Sequence, residues 1–379
     1  MSNYQASLML ASYFETIGFH NGKWEFNYQI NIKNLNTYNE IWLTMLHHFM
    51  VVGGPNNIDI TNWNASDDTI MIIATMKAVL DGGGEMNYTK QYLKIYDLLA
   101  DGKRLSGKTT LETLKLLKRG LTIKDLPNKV TMGGNGAAMR TGPIGLFWKD
   151  DEEKIIEESI IASRLTHNYY IGYLGGMVAA LFTSYAINEV NPIEWIDRLL
   201  LLYNKKIIHK YYPKNDQIDD LDNFMSYWKR YNELRIPKIK YKNSLDGFIY
   251  PNERTEFLLS FYPTEEIKQH VIKGQSLRKM EFVWDRIGSS GLDSCIYAYD
   301  CLLMSMHTPN SKTLDFDNIK YSVESFITLL TIHPGDNDTT AAIGGMWWGA
   351  LNGYIGFDTN RLKQMEFYKE LLEVSNKFF

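Results

Sequence analysis

The sequence predicts an all-α fold, and three observations carry that expectation. Apolar residues recur at helical spacing in segment after segment, enough for roughly ten or more helices. Alternation of apolar and polar residues, the mark of a half-buried strand, is short wherever it occurs. No Pro-, Ser- or Gly-rich linker and no repeat of fixed period divides the chain, so residues 1–379 are read as one domain. A chain of 379 residues that is 45% hydrophobic has enough apolar surface to bury one large core.

In order, residues 4–17 form the first expected helix, with Leu8, Met9, Leu10 and Tyr13 apolar and Gly18 near its end. A turn follows, His20-Asn21-Gly22-Lys23-Trp24-Glu25-Phe26, with an acid between two aromatic residues. Residues 69–80 read as a buried helix stopped by Asp81-Gly82-Gly83-Gly84. Residues 92–99, 111–117 and 154–165 carry further helical spacing, and Thr166-His167-Asn168 ends the last of these. Residues 172–185 are apolar on most sides and are expected to be buried. Residues 193–210 read as one long amphipathic helix. Residues 216–232 read as another, with Asp219, Asp220 and Asp222 on a solvated face near its start. Residues 238–262 are the most loop-like part of the chain. Residues 295–306, 319–332 and 362–378 complete the helical set, and Trp347 and Trp348 are expected in the core.

Composition narrows the function. A net charge of −4 leaves no basic footprint for nucleic acid, and Lys238-Ile239-Lys240-Tyr241-Lys242 is short and offset by acids elsewhere. Two cysteines, Cys295 and Cys301, suggest neither a disulfide framework nor a thiolate zinc site. Residues 1–5 lack the basic start of a secretory signal, and no run of 18 apolar residues occurs, so no membrane span is expected. A soluble, cytoplasmic protein is the expectation.

The chemistry concentrates in two acidic clusters. His333-Pro334-Gly335-Asp336-Asn337-Asp338-Thr339-Thr340 runs from a turn into a small, apolar, helix-compatible segment. Ser66-Asp67-Asp68-Thr69 likewise precedes an apolar run. Each opens an expected helix, where the positive end of the dipole should keep the acids ionised. Either cluster alone is also an ordinary N-cap, but capping needs one acceptor and these carry two acids each. Two all-oxygen clusters suit a hard dication such as magnesium. An EF-hand is excluded, because counting from Asp336 places Ala341 at position 6 and Trp347 at position 12. Glu25 reads either as a surface charge or as a further ligand or base.

Two glycine-rich turns stand beside these. Thr131 to Arg140 includes Gly133-Gly134-Asn135-Gly136, which lets backbone approach a ligand closely, yet it is neither a Walker loop nor a dinucleotide fingerprint. Gly288-Ser289-Ser290-Gly291-Leu292-Asp293 is a second turn that leads into a helix and offers backbone N–H groups to an anion. His167 on its own reads as a helix C-terminal cation or cap.

Taken together and in order, these segments resemble the ADP-ribosylglycohydrolase family, and most of all its branch acting on ADP-ribosylarginine. The matching pieces are Asn21 to Phe26, Ser66 to Thr69, Gly134 to Arg140, Leu165-Thr166-His167, Gly172-Tyr173-Leu174-Gly175, Gly288 to Gly291, Ala298-Tyr299-Asp300, and Gly335 to Thr339 through Trp347-Trp348-Gly349. The resemblance implies an orthogonal multi-helix bundle around a site for two magnesium ions. Ser66, Asp67 and Asp68 match one ligand set; Asp336, Asp338 and Thr339 match the other. Gly134, Asn135, Gly136 and Met139, with Gly288, Ser289, Ser290, Gly291 and Asp293, match segments on the diphosphate and adenosine side. His167 matches a position near the ADP-ribose. Asp67, Asp68 and Glu25 form the catalytic set, with Asp67 or Glu25 as general base.

The implied activity is hydrolysis of ADP-ribose from mono-ADP-ribosylated arginine on proteins, by a monomer. Serine-linked or O-acetyl-ADP-ribose substrates, or a non-catalytic ADP-ribose reader, are the alternatives. Two departures from the family pattern stand out. Phe14-Glu15-Thr16 occupies the place of Gly-Asp-Ala, and Gly291-Leu292-Asp293 that of Gly-His-Asp. Both acidic clusters are complete, so an active hydrolase is expected.

Overall fold

The computed structural model describes residues 2–27, 35–213, 216, 218–240, 254, 257–258, 287–307 and 320–378. Its principal helices are α1 (Asn3–Phe19), α2 (Leu35–Val51), α3 (Asp67–Leu80), α4 (Gly84–Lys94), α5 (Lys108–Lys118), α6 (Glu152–Arg164), α7 (Tyr170–Ile187), α8 (Trp195–Asn204), α9 (Ile218–Leu234), α10 (Gly291–Ser305), α11 (Val323–Thr331), α12 (Asn337–Asn352) and α13 (Tyr368–Ser375). Among the described residues, the only strands are Met306–His307 and Lys320–Tyr321, an antiparallel pair with Met306 opposite Tyr321. The all-α expectation holds.

The helix that opens the chain is welded to one near its end. α1 lies along α12, and the two approach backbone to backbone because the contact positions are glycine. A Cβ on Gly18 would sit 2.5 Å from the Asn337 carbonyl oxygen, and one on Gly345 would sit 2.6 Å from that of Leu10. The Ser7 hydroxyl closes the seam, donating to the Met346 carbonyl at 2.6 Å across 339 residues. Trp347 and Trp348 are fully buried on α12, as expected. Trp347 Nε1–H donates to the Ala179 carbonyl at 3.1 Å, while Trp348 stacks on Phe326 with centroids 4.8 Å apart.

α7 forms the middle of the bundle, touching α6, α10 and α12. It is long and apolar enough to cross a membrane (mean hydropathy 1.4 over 18 residues), but 89% of it is buried inside the protein, as a core helix would be. Asp300 on α10 is fully buried and paired with Arg235 and Arg254, and it accepts from the Tyr231 hydroxyl at 2.7 Å. Burial alone would raise the Asp300 carboxyl, but the two guanidiniums hold it well below the usual carboxylate range. Cys295 and Cys301 on the same helix are buried free thiols.

Several elements differ from the sequence expectation. Residues 92–99 are not one helix: α4 ends at Lys94, and a separate turn, Tyr96–Leu99, follows. Residues 193–210 break where Lys206 turns left-handed, leaving α8 and a short Ile207–Tyr211 helix. Residues 320–321 belong to a strand, so the segment read as 319–332 is helical only from Val323. The last expected helix begins as a 3-10 segment, Thr359–Gln364, before α13. α2 is an element the sequence analysis does not predict, and Tyr38, Ile41, Met45 and Phe49 form its buried stripe. The loop read at 238–262 lies largely outside the described residues.

Candidate metal centre

The first acidic cluster is held by two braces. Ser66 is the N-cap of α3, its hydroxyl accepting from the Asp68 N–H at 3.2 Å. From α1, Glu15 reaches the same turn: its Oε1 accepts from the Ser66 N–H at 2.9 Å and the Thr69 N–H at 3.2 Å. The second cluster is set by the turn before α12. Gly335 lies so tightly on the Ile287 backbone that a Cβ has no room, and the Asp336 N–H donates to the Ile287 carbonyl at 2.8 Å. Asn337 Nδ2 donates to the Thr331 carbonyl at 2.8 Å, pinning the helix start to α11.

Glu25 arrives on a third segment. Phe26 adopts φ of 54°, a strained left-handed conformation for an aromatic residue, and its N–H donates to the Gly335 carbonyl at 2.8 Å. That bond ties the Glu25 turn to the turn carrying Asp336. Behind it, Trp24 is clamped edge-on to His20, and its Nε1–H donates to His48 Nδ1 at 3.1 Å.

These segments converge. One carboxylate oxygen each from Glu25, Asp336 and Asp338 lie within 4.8 Å of one another, and all three residues are buried. Asp338 also takes a hydrogen bond from the Ser66 side chain, so the two helix starts meet. Asp67 and Asp68 stand outside that tight trio but within the field of Asp338. The Thr339 hydroxyl faces both Asp336 and, at 4.0 Å, the Met139 sulfur.

The electrostatics correct one expectation. The helix dipoles do not keep these acids ionised by themselves. Burial, followed by the neighbouring Asp338 charge, pushes Asp67 up to about 7 and Glu15 up to about 8. The same two causes, in the same order, put Asp68, Glu25 and Asp336 well above the carboxylate range. Desolvation and like-charge crowding outweigh a dipole contribution of about 0.3–1 kcal/mol. A divalent cation reverses this balance. The donors suit one: Asp68 Oδ2 and Glu25 Oε2 are buried with no hydrogen-bond partner, and both are hard oxygens. Imidazole and thiolate are absent from the trio.

The two glycine turns lie against each other and against the acids. Gly134 and Ser290 form an antiparallel bridge. The Asn135 N–H donates to the Ser289 carbonyl at 3.2 Å, and the Gly291 N–H to the Gly133 carbonyl at 3.1 Å. Asn135 Nδ2 donates to the Gly288 carbonyl at 2.7 Å and to Asp336 Oδ2 at 2.8 Å. Asp293 is occupied by its own turn: its oxygens accept from the Gly288 N–H at 2.6 Å and the Ser290 N–H at 2.8 Å, completing a capping box with Ser290. Several N–H groups that the sequence offered to an anion are therefore used within the turns.

His167 lies beneath the first turn. It is buried, its Nδ1 is 2.8 Å from the Thr166 hydroxyl, and burial with the nearby Arg140 charge lowers its pKa to about 3. It is therefore a neutral ring under the loop rather than the helix-terminal cation its sequence position suggests. A Cβ on Gly136 would lie 2.5 Å from His167 Cε1. Arg140, whose place at the end of the Gly134–Arg140 motif gives no sign of its role, is fully buried, stacks over Tyr92 and donates to the carbonyls of Gly136 and Ala162. Its charge also bears on Asp67. Phe14 turns away from the acids into an aromatic cluster with Phe326 and Phe357, and Leu292 is buried in the core.

The sequence profile of the ADP-ribosylglycohydrolase family matches residues 22–379. The chain belongs to the ADP-ribosylglycohydrolase family. Among its relatives, ADP-ribosylhydrolase ARH1 of Dictyostelium discoideum is 31% identical over 403 aligned positions, covering 98% of this chain and 92% of the relative. A putative ADP-ribosyl glycohydrolase of Acanthamoeba polyphaga mimivirus is 29% identical, over 90% of this chain and 62% of that protein. A solved structure described as an ADP-ribosylglycohydrolase-related protein complex superposes with a TM-score of 0.55 at 13% identity, covering 99% and 98% of the two chains. The fold is thus the orthogonal multi-helix bundle of the ADP-ribosylglycohydrolase type. Family membership makes the protein a glycohydrolase of ADP-ribosylated substrates, and its acidic cluster is a candidate metal site.

Proposed function

We propose that this ADP-ribosylglycohydrolase releases ADP-ribose from mono-ADP-ribosylated arginine, as a monomeric, single-domain, cytoplasmic enzyme that uses two magnesium ions. Ser66, Asp67 and Asp68 would hold one ion, and Asp336, Asp338 and Thr339 the other. The observation that carries the reading is the meeting of two acid-bearing helix starts with Glu25, beside two glycine turns tied to them through Asn135. The likeness to ADP-ribosylhydrolase ARH1 supports it.

Breaking the bond between ribose C1 and a guanidinium nitrogen develops positive charge on the sugar. When bound, the divalent ions supply Lewis-acid binding of ribose hydroxyls and a lowered pKa for water. The chain's own acids do the rest. Glu25, set among Asp336, Asp338 and Asp67, is placed to accept a proton, with Asp67 as the alternative base; a positioned base contributes roughly 10²–10⁴-fold. The surrounding negative charge favours the cationic leaving group. The turn from Gly288 to Gly291 and the loop from Gly134 to Met139 form the wall against which the diphosphate and adenosine would rest, with His167 supporting it from below.

The test compares ADP-ribose release from arginine-linked and serine-linked peptides, with magnesium and with EDTA. Faster release from arginine, abolished by EDTA, is expected. Preference for the serine linkage, or turnover indifferent to EDTA, overturns the reading. Tight ADP-ribose binding with no turnover at any magnesium concentration would make the protein a reader instead.

A further inference from the structure

Glu15 lies on α1, apart from both acidic clusters in sequence, and is completely buried. Its two oxygens face different tasks. Oε1 gathers the N–H groups of Ser66 and Thr69, the two donors that bracket Asp67 and Asp68. Oε2 takes no backbone donor, the Thr69 side chain being the other group that bonds this carboxylate, and the carboxylate lies within the field of Asp338, Asp68 and Glu25. A cap alone calls for one acceptor, which Oε1 already provides, and a carboxylate fully buried among other acids is unfavourable without a compensating cation. A carboxylate in this position is therefore more than a helix cap.

We propose that Glu15 is a positioning residue of the cation site: Oε1 fixes the turn that presents Ser66, Asp67 and Asp68, while Oε2 adds an acceptor facing the cation and its waters. This rests on the metal reading above but not on the choice of arginine as substrate. Partners that orient ligands in this way typically change metal affinity by about 10–100-fold when removed. Glu15→Gln preserves an oxygen for the Ser66 and Thr69 N–H groups and the shape of the side chain. It replaces the acceptor toward the acids with a donor.

The experiment is titration calorimetry of magnesium into the metal-free protein, wild type and E15Q, alongside the melting temperature of each in EDTA. A metal-free E15Q protein that melts no lower than wild type, yet binds magnesium at least about tenfold more weakly, is expected. Should the amide prevent folding, Glu15→Ala leaves room for water to meet the Ser66 and Thr69 N–H groups while removing the carboxylate, and the same loss of affinity is expected. Wild-type magnesium affinity in a folded variant overturns the proposal alone. No magnesium binding by the wild-type protein overturns it together with the metal reading beneath it. Altered linkage preference with normal magnesium binding by the wild-type protein would touch only the choice of substrate.

Discussion

Asn135 Nδ2 lies 2.8 Å from Asp336 Oδ2 and 2.7 Å from the Gly288 carbonyl oxygen, so one amide group joins both glycine turns to the acidic cluster. Asn135→Ala removes both bonds and leaves two acceptors without that donor. A loss of about 1–3 kcal/mol is expected in urea unfolding of the metal-free protein. ADP-ribose binding should weaken as well, because the wall between the turns loses its tie. Unchanged unfolding would show that water replaces the amide at no cost.

After burial, which is the larger cause at each group, the Asp338 charge raises Asp67, Asp68, Glu15, Glu25 and Asp336 together. Asp338→Asn removes that repulsion while keeping an oxygen for the Thr339 N–H, which donates to Asp338 at 2.9 Å. The metal-free variant should therefore melt above wild type by about 1–2 °C, for a gain on the order of 1 kcal/mol in a chain of this size. Its stabilisation by magnesium and its turnover should be lost. Thermal melts in EDTA and in magnesium check both halves, and a lower melting point in EDTA would count against the repulsion account.

The pH dependence has a defined sign. Asp67 at about 7 and Glu15 at about 8 bind protons in the folded state that the unfolded chain releases near pH 4. The stability they contribute is full below their unfolded values and is lost as pH rises through 7 to 8. Buried His20 at about 4, and His167 and His333 at about 3, act in the opposite direction, their contribution fading as pH falls below about 6.5. Between about pH 6.5 and 8 the acids act alone, so the metal-free protein should lose stability as pH rises. Magnesium should stabilise it more at pH 8 than at pH 6.5. A flat profile in EDTA across this window would contradict the raised values.

Gly136 has no room for a methyl group above His167. Gly136→Ala should destabilise the protein by about 1–3 kcal/mol through overpacking. Adding His167→Ala should recover part of that loss, since the obstructing ring is gone. A double-mutant cycle measured by urea unfolding reads the coupling, and strictly additive effects would separate the two residues.

What the sequence showed of the site was what local residue types can show. Ser66-Asp67-Asp68 and Asp336-Asn337-Asp338 are short oxygen-rich runs at helix starts, so their chemistry was visible without a structure. From its neighbours alone Glu25 is an acid between aromatic residues, and the family resemblance marks it as a candidate base. Its meeting with Asp336 and Asp338 depends on the Phe26–Gly335 hydrogen bond, a contact between distant segments. The Glu15 brace was hidden for the same reason. Asp293 shows the local case: Ser290-Gly291-Leu292-Asp293 carries a capping-box signature in plain sequence, and the structure forms that box.

The fold was legible where one face of a helix is plainly apolar and less so at its joints. The break at Lys206 follows from a left-handed backbone that its residue type does not announce. The strand at Lys320–Tyr321 exists only because Met306–His307 is there to pair with it.

The glycine-lined seam between α1 and α12 has a consequence for biosynthesis. The α1 segment must wait for one translated more than three hundred codons later, since its Ser7 hydroxyl and Gly18 backbone pack against that partner. Until then a strongly apolar N-terminal stretch, and the carboxylate it carries at Glu15, remain unpaired. Such long-range closure is slow and leaves nascent chains exposed to aggregation. Ribosome-bound chains stalled before residue 337 should therefore depend on chaperones to stay in solution.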